Sequence, residues 1–262
     1  WAWLVGILWL THWLLFGILA FSNRYIPATL PRITLSNGEK TVVFQSMIHI
    51  ASPEFYTDVR NDMKKLQSED YVFFYEGVKA GTPESMEKLS QFMGTTVSPE
   101  MYDILAEIAG LTFQGDELYR DILPSTNVDL TTDEIVELAE TKVTALPAGN
   151  QADFIKILRE YYPAFTPLQK NISLVISHGI INMLLRTYTD PALITGMKDA
   201  IPVFDIILDE RNKHIVDTIL ASPNQHIYIH YGALHYPGIV ALLQEKDPRW
   251  KEVSRKNFRV IR

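Results

Sequence analysis

The chain of 262 residues contains no cysteine. Disulfides, thiolate metal sites and cysteine nucleophiles are therefore excluded. It also lacks the glycine loops that cradle phosphates, the serine elbow of α/β-hydrolases and the His-Glu-x-x-His pattern of helical zinc sites. Positive charge is in short supply. The 24 Lys and Arg face 31 Asp and Glu, a net charge of −7, which argues against a basic surface and against nucleic acid as a partner. No repeat of solenoid period and no low-complexity tract is present. What remains is the composition of a folded protein, 47% apolar and 21% charged, with enough chain for one large domain or two small ones.

From Trp1 to Phe21 there is no charge at all, and four of the five tryptophans (Trp1, Trp3, Trp9, Trp13) fall in this stretch. About 20 apolar residues cross a bilayer as a helix. The h-region of a signal peptide is shorter, roughly 7–15 residues. Residues 1–21 therefore read as a transmembrane anchor, residues 22–31 as a polar linker and residues 32–262 as the main domain. The expectation is a single-pass membrane protein whose tryptophan-rich helix could also meet a membrane-protein partner.

Within the domain, two β-type runs around Asn37-Gly38 predict a hairpin. Ser52-Pro53 opens a helix to about Gln67, and the apolar run 71–75 predicts a buried strand. The β signal then fades, so residues 81–201 read as a helical insertion with helices near 83–92, 99–109, 131–141, 151–161 and 168–188. Thr131-Thr132-Asp133-Glu134 is a capping-box pattern. A helix over 202–220, a strand over 225–230, a helix over 234–244 and a final solvated edge strand over 250–261 complete the pattern. The fold class is α/β: a mixed sheet with flanking helices, built from two related strand-turn-helix units, plus the insertion and the N-terminal transmembrane helix.

Three histidines fall within ten residues in His226-Ile227-Tyr228-Ile229-His230-Tyr231-Gly232-Ala233-Leu234-His235, followed by Tyr236-Pro237-Gly238. A fainter echo is Ser46-Met47-Ile48-His49. Two small-x-x-His turns, each leaving a strand, would bring His49 and His235 to one edge of a sheet. Neutral imidazole is both a metal ligand and a general base. Both histidines are expected beside helix starts, where free N–H groups suit an anion or oxyanion. Glu76 follows the buried strand directly, and the carboxyl ends of strands are where α/β folds place ligands. In Asp209-Glu210-Arg211-Asn212, Glu210 and Arg211 point about 100° apart on a helix. His226 and His230 are read as packing residues, and His178 as a satisfied core histidine.

Taken in order, Ser46-Met47-Ile48-His49, Tyr75-Glu76-Gly77, Asp209-Glu210-Arg211-Asn212 and Gly232-Ala233-Leu234-His235-Tyr236-Pro237-Gly238 resemble the TraB/PrgY, GumN and Tiki group, related more distantly to erythromycin esterase and ChaN-like proteins. The resemblance covers about residues 33–262, the insertion only in character. It implies a membrane-tethered, metal-dependent hydrolase, most plausibly a peptidase, with a peptide or small molecule as substrate. His49, Glu76, Arg211 and His235 would be catalytic. His49, Glu76, Glu210 and His235 would hold a divalent metal, and Arg211 would steady a carboxylate or an oxyanion. With the lack of cysteine, it slightly favours the exported side for the domain. Ser46 stands where these families carry Gly, a residue that permits positive φ and close backbone approach. Two other readings accompany this one: a catalytically degenerate accessory or regulatory subunit of a membrane complex, and a heme or small-ligand binder.

Overall fold

Asn37 and Gly38 turn the chain sharply. Gly38 adopts φ 91°, and the Asn37 side chain accepts the backbone N–H of Lys40 at 2.8 Å. The turn pairs β1 (Thr29–Ser36) with β2 (Thr41–Met47) in antiparallel register, Ser36 opposite Thr41 and Arg32 opposite Gln45. The computed structural model describes residues 2–94, 99–115, 125–143, 152–201 and 203–262. Trp1 and the expected helix starts at Gln151 and Pro202 lie outside the described residues.

A six-stranded sheet forms the centre, in the order β6-β4-β7-β2-β1-β8. Its other strands are β4 (Val72–Tyr75), β6 (Ser125–Asn127), β7 (His226–Gly232) and β8 (Lys251–Arg259). β6, β4, β7 and β2 run parallel, while β1 is antiparallel to both of its neighbours. Parallel strands need cover on both faces, and the strand residues alternate accordingly. Val43, Met47, Phe73 and Tyr228 pack against Phe55, Val59 and Met63 of α2 (Pro53–Gln67). Val42, Phe44, Ile227 and Ile229 pack on the opposite face against α9 (Arg211–Ala221) and α10 (Tyr236–Lys246). The two strand-turn-helix units thus lie side by side, Met47 opposite Gly232, but send their helices to opposite faces. β8 is an exposed edge strand over most of its length, as its alternation of polar residues suggests.

The chain departs from the expectation in three places, the first two of them in the insertion. It carries two short strands. β5 (Thr112–Phe113) pairs with β3 (Ile50–Ala51), and β6 joins the main sheet. Strands of two or three residues leave no period-2 signal to read. A helix α8 (Pro191–Ala200), capped by the Asp190 carboxylate, is added. The helix leading into Arg211 opens with a π turn over Ile206–Glu210. The other helices, α3 (Pro83–Met93), α4 (Pro99–Ala109), α5 (Thr132–Lys142), α6 (Ala152–Tyr161) and α7 (Pro167–Thr187), stand close to their predicted places. Thr131 and Glu134 make the expected capping box.

The N-terminal helix α1 (Ala2–Tyr25) is packed along α7. Asn182 is buried; it accepts the N–H of Ala28 at 3.0 Å and donates to Asn23 at 2.7 Å, and Asn23 in turn donates to the Val175 carbonyl at 3.0 Å. Arg186 donates to the Ile26 carbonyl. Gly179 allows the approach, since a Cβ there would stand 2.6 Å from the Leu19 side chain. The segment read as a linker is divided between the last turn of α1 and the start of β1, because Thr29 already pairs with Arg259. Among the described residues no helix is long and apolar enough to cross a membrane. Asn182→Ala would leave the Ala28 N–H buried without its acceptor, an expected loss of about 1–3 kcal/mol. Urea denaturation followed by circular dichroism measures it, and an unchanged midpoint would show that the contact carries no stability.

Candidate active site

Four parallel strands end on one edge of the sheet, and each end delivers a polar residue. His49 follows β2, Glu76 follows β4, Asp129 follows β6, and Gly232 closes β7 three residues before His235. This is the edge at which α/β sheets bind ligands. α9 adds Arg211 and Asn212 from the side, aimed by the π turn before it, a device frequent at functional sites.

Arg211 is the hub. Its Nη2 donates to Glu76 Oε1 at 2.6 Å and to Asp129 Oδ2 at 2.5 Å, while Nε donates to Asp129 Oδ1 at 2.8 Å. Asp129 further accepts the Tyr231 hydroxyl at 3.2 Å and the backbone N–H groups of Gly77 and Leu130. Asp129 is 1% exposed and Arg211 4% exposed. A buried charge cluster of this kind holds only because every member is paired and hydrogen-bonded. The second oxygen of Glu76 accepts the Gly232 N–H. Burial alone would raise the pKa of Glu76; Arg211, His235 and the Gly232 N–H outweigh it and hold the carboxyl well below the usual range.

His235 is buried at the mouth of α10, as its position before a helix start predicts. Its Nδ1 stands 2.7 Å from Asn212 Oδ1, an acceptor, so Nδ1 carries a proton and donates it there. Its Nε2 faces Glu76 Oε1 at 3.6 Å. The glycines of this stretch have separate reasons. A Cβ on Gly232 would stand 3.0 Å from Glu76 Oε2, and one on Gly238 would stand 2.2 Å from Asn212 Nδ2.

His49 lies at the mouth, on the bend between β2 and β3, exposed on one side. The helix after it starts at Pro53, as Ser52-Pro53 predicts, and Ile50 and Ala51 pair with β5 in between. Its ring packs 4.7 Å from Tyr102 and 6.4 Å from Phe113. Loss of water around the ring lowers its pKa, Glu76 opposes that shift and Arg211 adds to it. Ser46 sits inside β2 with no positive φ, so this strand end does not need a glycine. Glu210 is not brought to the cluster. One position around the helix from Arg211, it pairs with Lys142 at 2.6 Å and Lys213 at 3.0 Å. Among the described residues no three His, Asp or Glu side chains gather closely enough to hold a metal ion.

Several site residues escaped the sequence. Asp129 follows a strand of three residues, and Gln114 and Tyr102 come from the insertion. Gln114 donates its backbone N–H to the His49 carbonyl at 2.7 Å, and its side-chain nitrogen stands 3.3 Å from His230 Nε2. A readable signal for Asp129 was its place just before the capping box at Thr131. The packing role read for His230 agrees with its burial. His226 is exposed and stacks on Tyr71 at 5.2 Å, and His178 binds the Ala109 carbonyl at 2.7 Å.

Comparison with protein-family models, with curated proteins and with solved structures gave no match for this chain.

Two expectations follow. Burial, reinforced by His49 and opposed by Glu76, pushes the His230 pKa down to about 3. His230 is therefore neutral in the folded state, while the unfolded chain takes up its proton below about 6.5. Stability contributed by this residue is complete above pH 6.5 and falls as pH drops toward 3. In an NMR titration the His230 ring signals should stay constant from pH 8 to pH 5; a midpoint near 6.5 would refute the assignment. Arg211→Met should cost about 3–5 kcal/mol, because Glu76 and Asp129 are left as buried charges without a partner. A denaturation midpoint within error of the wild type would show the cluster to be dispensable.

Proposed function

We propose that the chain is a hydrolase that activates water between His235 and Glu76 and attacks a carbonyl, that of a peptide first among them. The observation that carries this reading is the convergence of His235 Nε2 on the Glu76 carboxylate, 3.6 Å away, which Arg211 holds in its ionised form. Asn212 sets the His235 tautomer. Arg211, itself locked by Asp129, keeps Glu76 charged and still. His235 then takes one proton from the attacking water, and the adjacent Glu76 charge stabilises the imidazolium that forms. As the intermediate collapses, His235 returns that proton to the leaving amine or alcohol. His49 stands at the entrance as a neutral imidazole beside the substrate.

The resemblance to the TraB/PrgY, GumN and Tiki group supports a peptide substrate and a divalent metal. Glu76 and His235 are the two donors that converge, and a metal held there would lower the pKa of bound water toward ~7. Because no third acidic or imidazole donor among the described residues stands with them, no step is routed through it. Glu210, paired with lysines, is left out of the ligand set. The uncharged run from Trp1 to Phe21 supports membrane anchoring, the resemblance and the lack of cysteine favour the exported side for the domain, and the two adjacent strand-turn-helix units support the family's duplicated core.

The test is hydrolysis of a panel of blocked peptides and p-nitrophenyl esters by the full chain in detergent, with metal content measured on the same sample. Glu76→Gln and His235→Ala should each lower kcat by about 10²–10⁴-fold, the range for losing a general acid–base partner. A wild type without activity, co-purifying in fixed ratio with a membrane protein, would replace this reading with that of an accessory subunit. The dense neutralisation of Glu76 by Arg211 favours that second reading.

A further inference from the structure

The insertion supplies more than cover. α4 ends at Gly110, which takes φ 58°, and β5 then pairs with β3 beside His49. This arrangement lays the Tyr102 ring on Phe113, with centroids 5.0 Å apart and planes 8° apart, and sets His49 against the same ring at 4.7 Å. The Tyr102 ring is thereby held from two sides. Its hydroxyl has no hydrogen-bond partner among the described residues. Three tyrosine hydroxyls around the sheet are spent: Tyr231 donates to Asp129, Tyr236 to Glu252 and Tyr56 to the Ile48 carbonyl. The Tyr102 residue is half-buried, and its pKa is raised first by burial and then by the charge of Glu76. The hydroxyl is carried by the ring that closes on His49 at the mouth of the site.

We propose that Tyr102 is a catalytic residue whose hydroxyl donates a hydrogen bond to the carbonyl oxygen of the substrate as it becomes an oxyanion. The inference rests on the hydrolase reading given above. In the addition step the water oxygen bonds to the carbonyl carbon, the π pair moves to the carbonyl oxygen, and one water proton passes to His235. Tyr102 keeps its own proton throughout and binds the oxyanion more strongly than the neutral carbonyl. A donor fixed where charge develops acts on the transition state rather than on substrate binding.

Tyr102→Phe retains the stacked ring and removes only the donor. On the best p-nitrophenyl ester or blocked peptide of the panel, kcat should fall about 10²–10³-fold, as for loss of one oxyanion donor, with KM changed less than about threefold by the same argument. A tetrahedral phosphonate analogue of that substrate should lose affinity by a similar factor, while the planar carboxylate product should bind as before. A structural role would move both inhibitors together, or neither, and would lower the melting temperature. Undiminished kcat in the variant, or equal losses for phosphonate and product, overturns the proposal. If the variant does not fold, the wild type decides: a phosphonate that binds it no tighter than the product overturns the proposal equally. A wild type that hydrolyses nothing defeats both this inference and the reading beneath it. An active wild type with a fully active Tyr102→Phe defeats this one alone.

Discussion

One guanidinium organises the edge of the sheet. Arg211 reaches from a helix on one face to the carboxylates that follow β4 and β6, and it is the cation that both of them share in that buried setting. The geometry is two-sided. Asp129 takes Arg211 with both oxygens and fixes the plane of the guanidinium, so Glu76 meets a cation already oriented. The price of burying three charges is met by neutral partners, among them the Tyr231 hydroxyl and the N–H groups of Gly77, Leu130 and Gly232. Stability and chemistry are tied together here, because the group that neutralises the cluster also holds the carboxylate beside His235.

Backbone geometry explains the Gly-x-x-His-x-x-Gly stretch. Gly232 ends the strand and lets Glu76 approach the chain; Gly238 lets α10 settle against Asn212; and Asn212 selects the tautomer of His235. Neither glycine has positive φ. Their common property is that a methyl group would occupy the space of a functional side chain. Ser46 shows the converse, being accommodated within a regular strand.

The parts legible in the sequence were those with a local signature. The Asn37-Gly38 turn, the Ser52-Pro53 helix start, the capping box at Thr131 and the strand ends carrying His49, Glu76 and His235 all announce themselves within a few residues. Asp129, Tyr102 and Gln114 were not legible, because their places depend on pairings between distant segments: β6 with β4, and β5 with β3. Short strands of this kind are defined by their partner, and no periodicity within them betrays it. Glu210 stands apart from the cluster for the opposite reason. It adjoins Arg211 in sequence, yet a step of one residue on a helix turns a side chain to other neighbours, here Lys142 and Lys213.

The lock between α1 and α7 has a mechanical meaning. Leu19 and Asn23 grip α7 at Gly179, Val175 and Asn182. α7 in turn holds the end of α4, through His178 on the Ala109 carbonyl and Leu174 against Gly110. α4 carries Tyr102, whose ring presses on His49. The N-terminal helix and the mouth of the site are therefore joined by three successive rigid contacts, without a slack linker between them. A load applied to α1 is borne by the wall of the site, and the ladder of two residue pairs between β3 and β5 is the slenderest member in that frame.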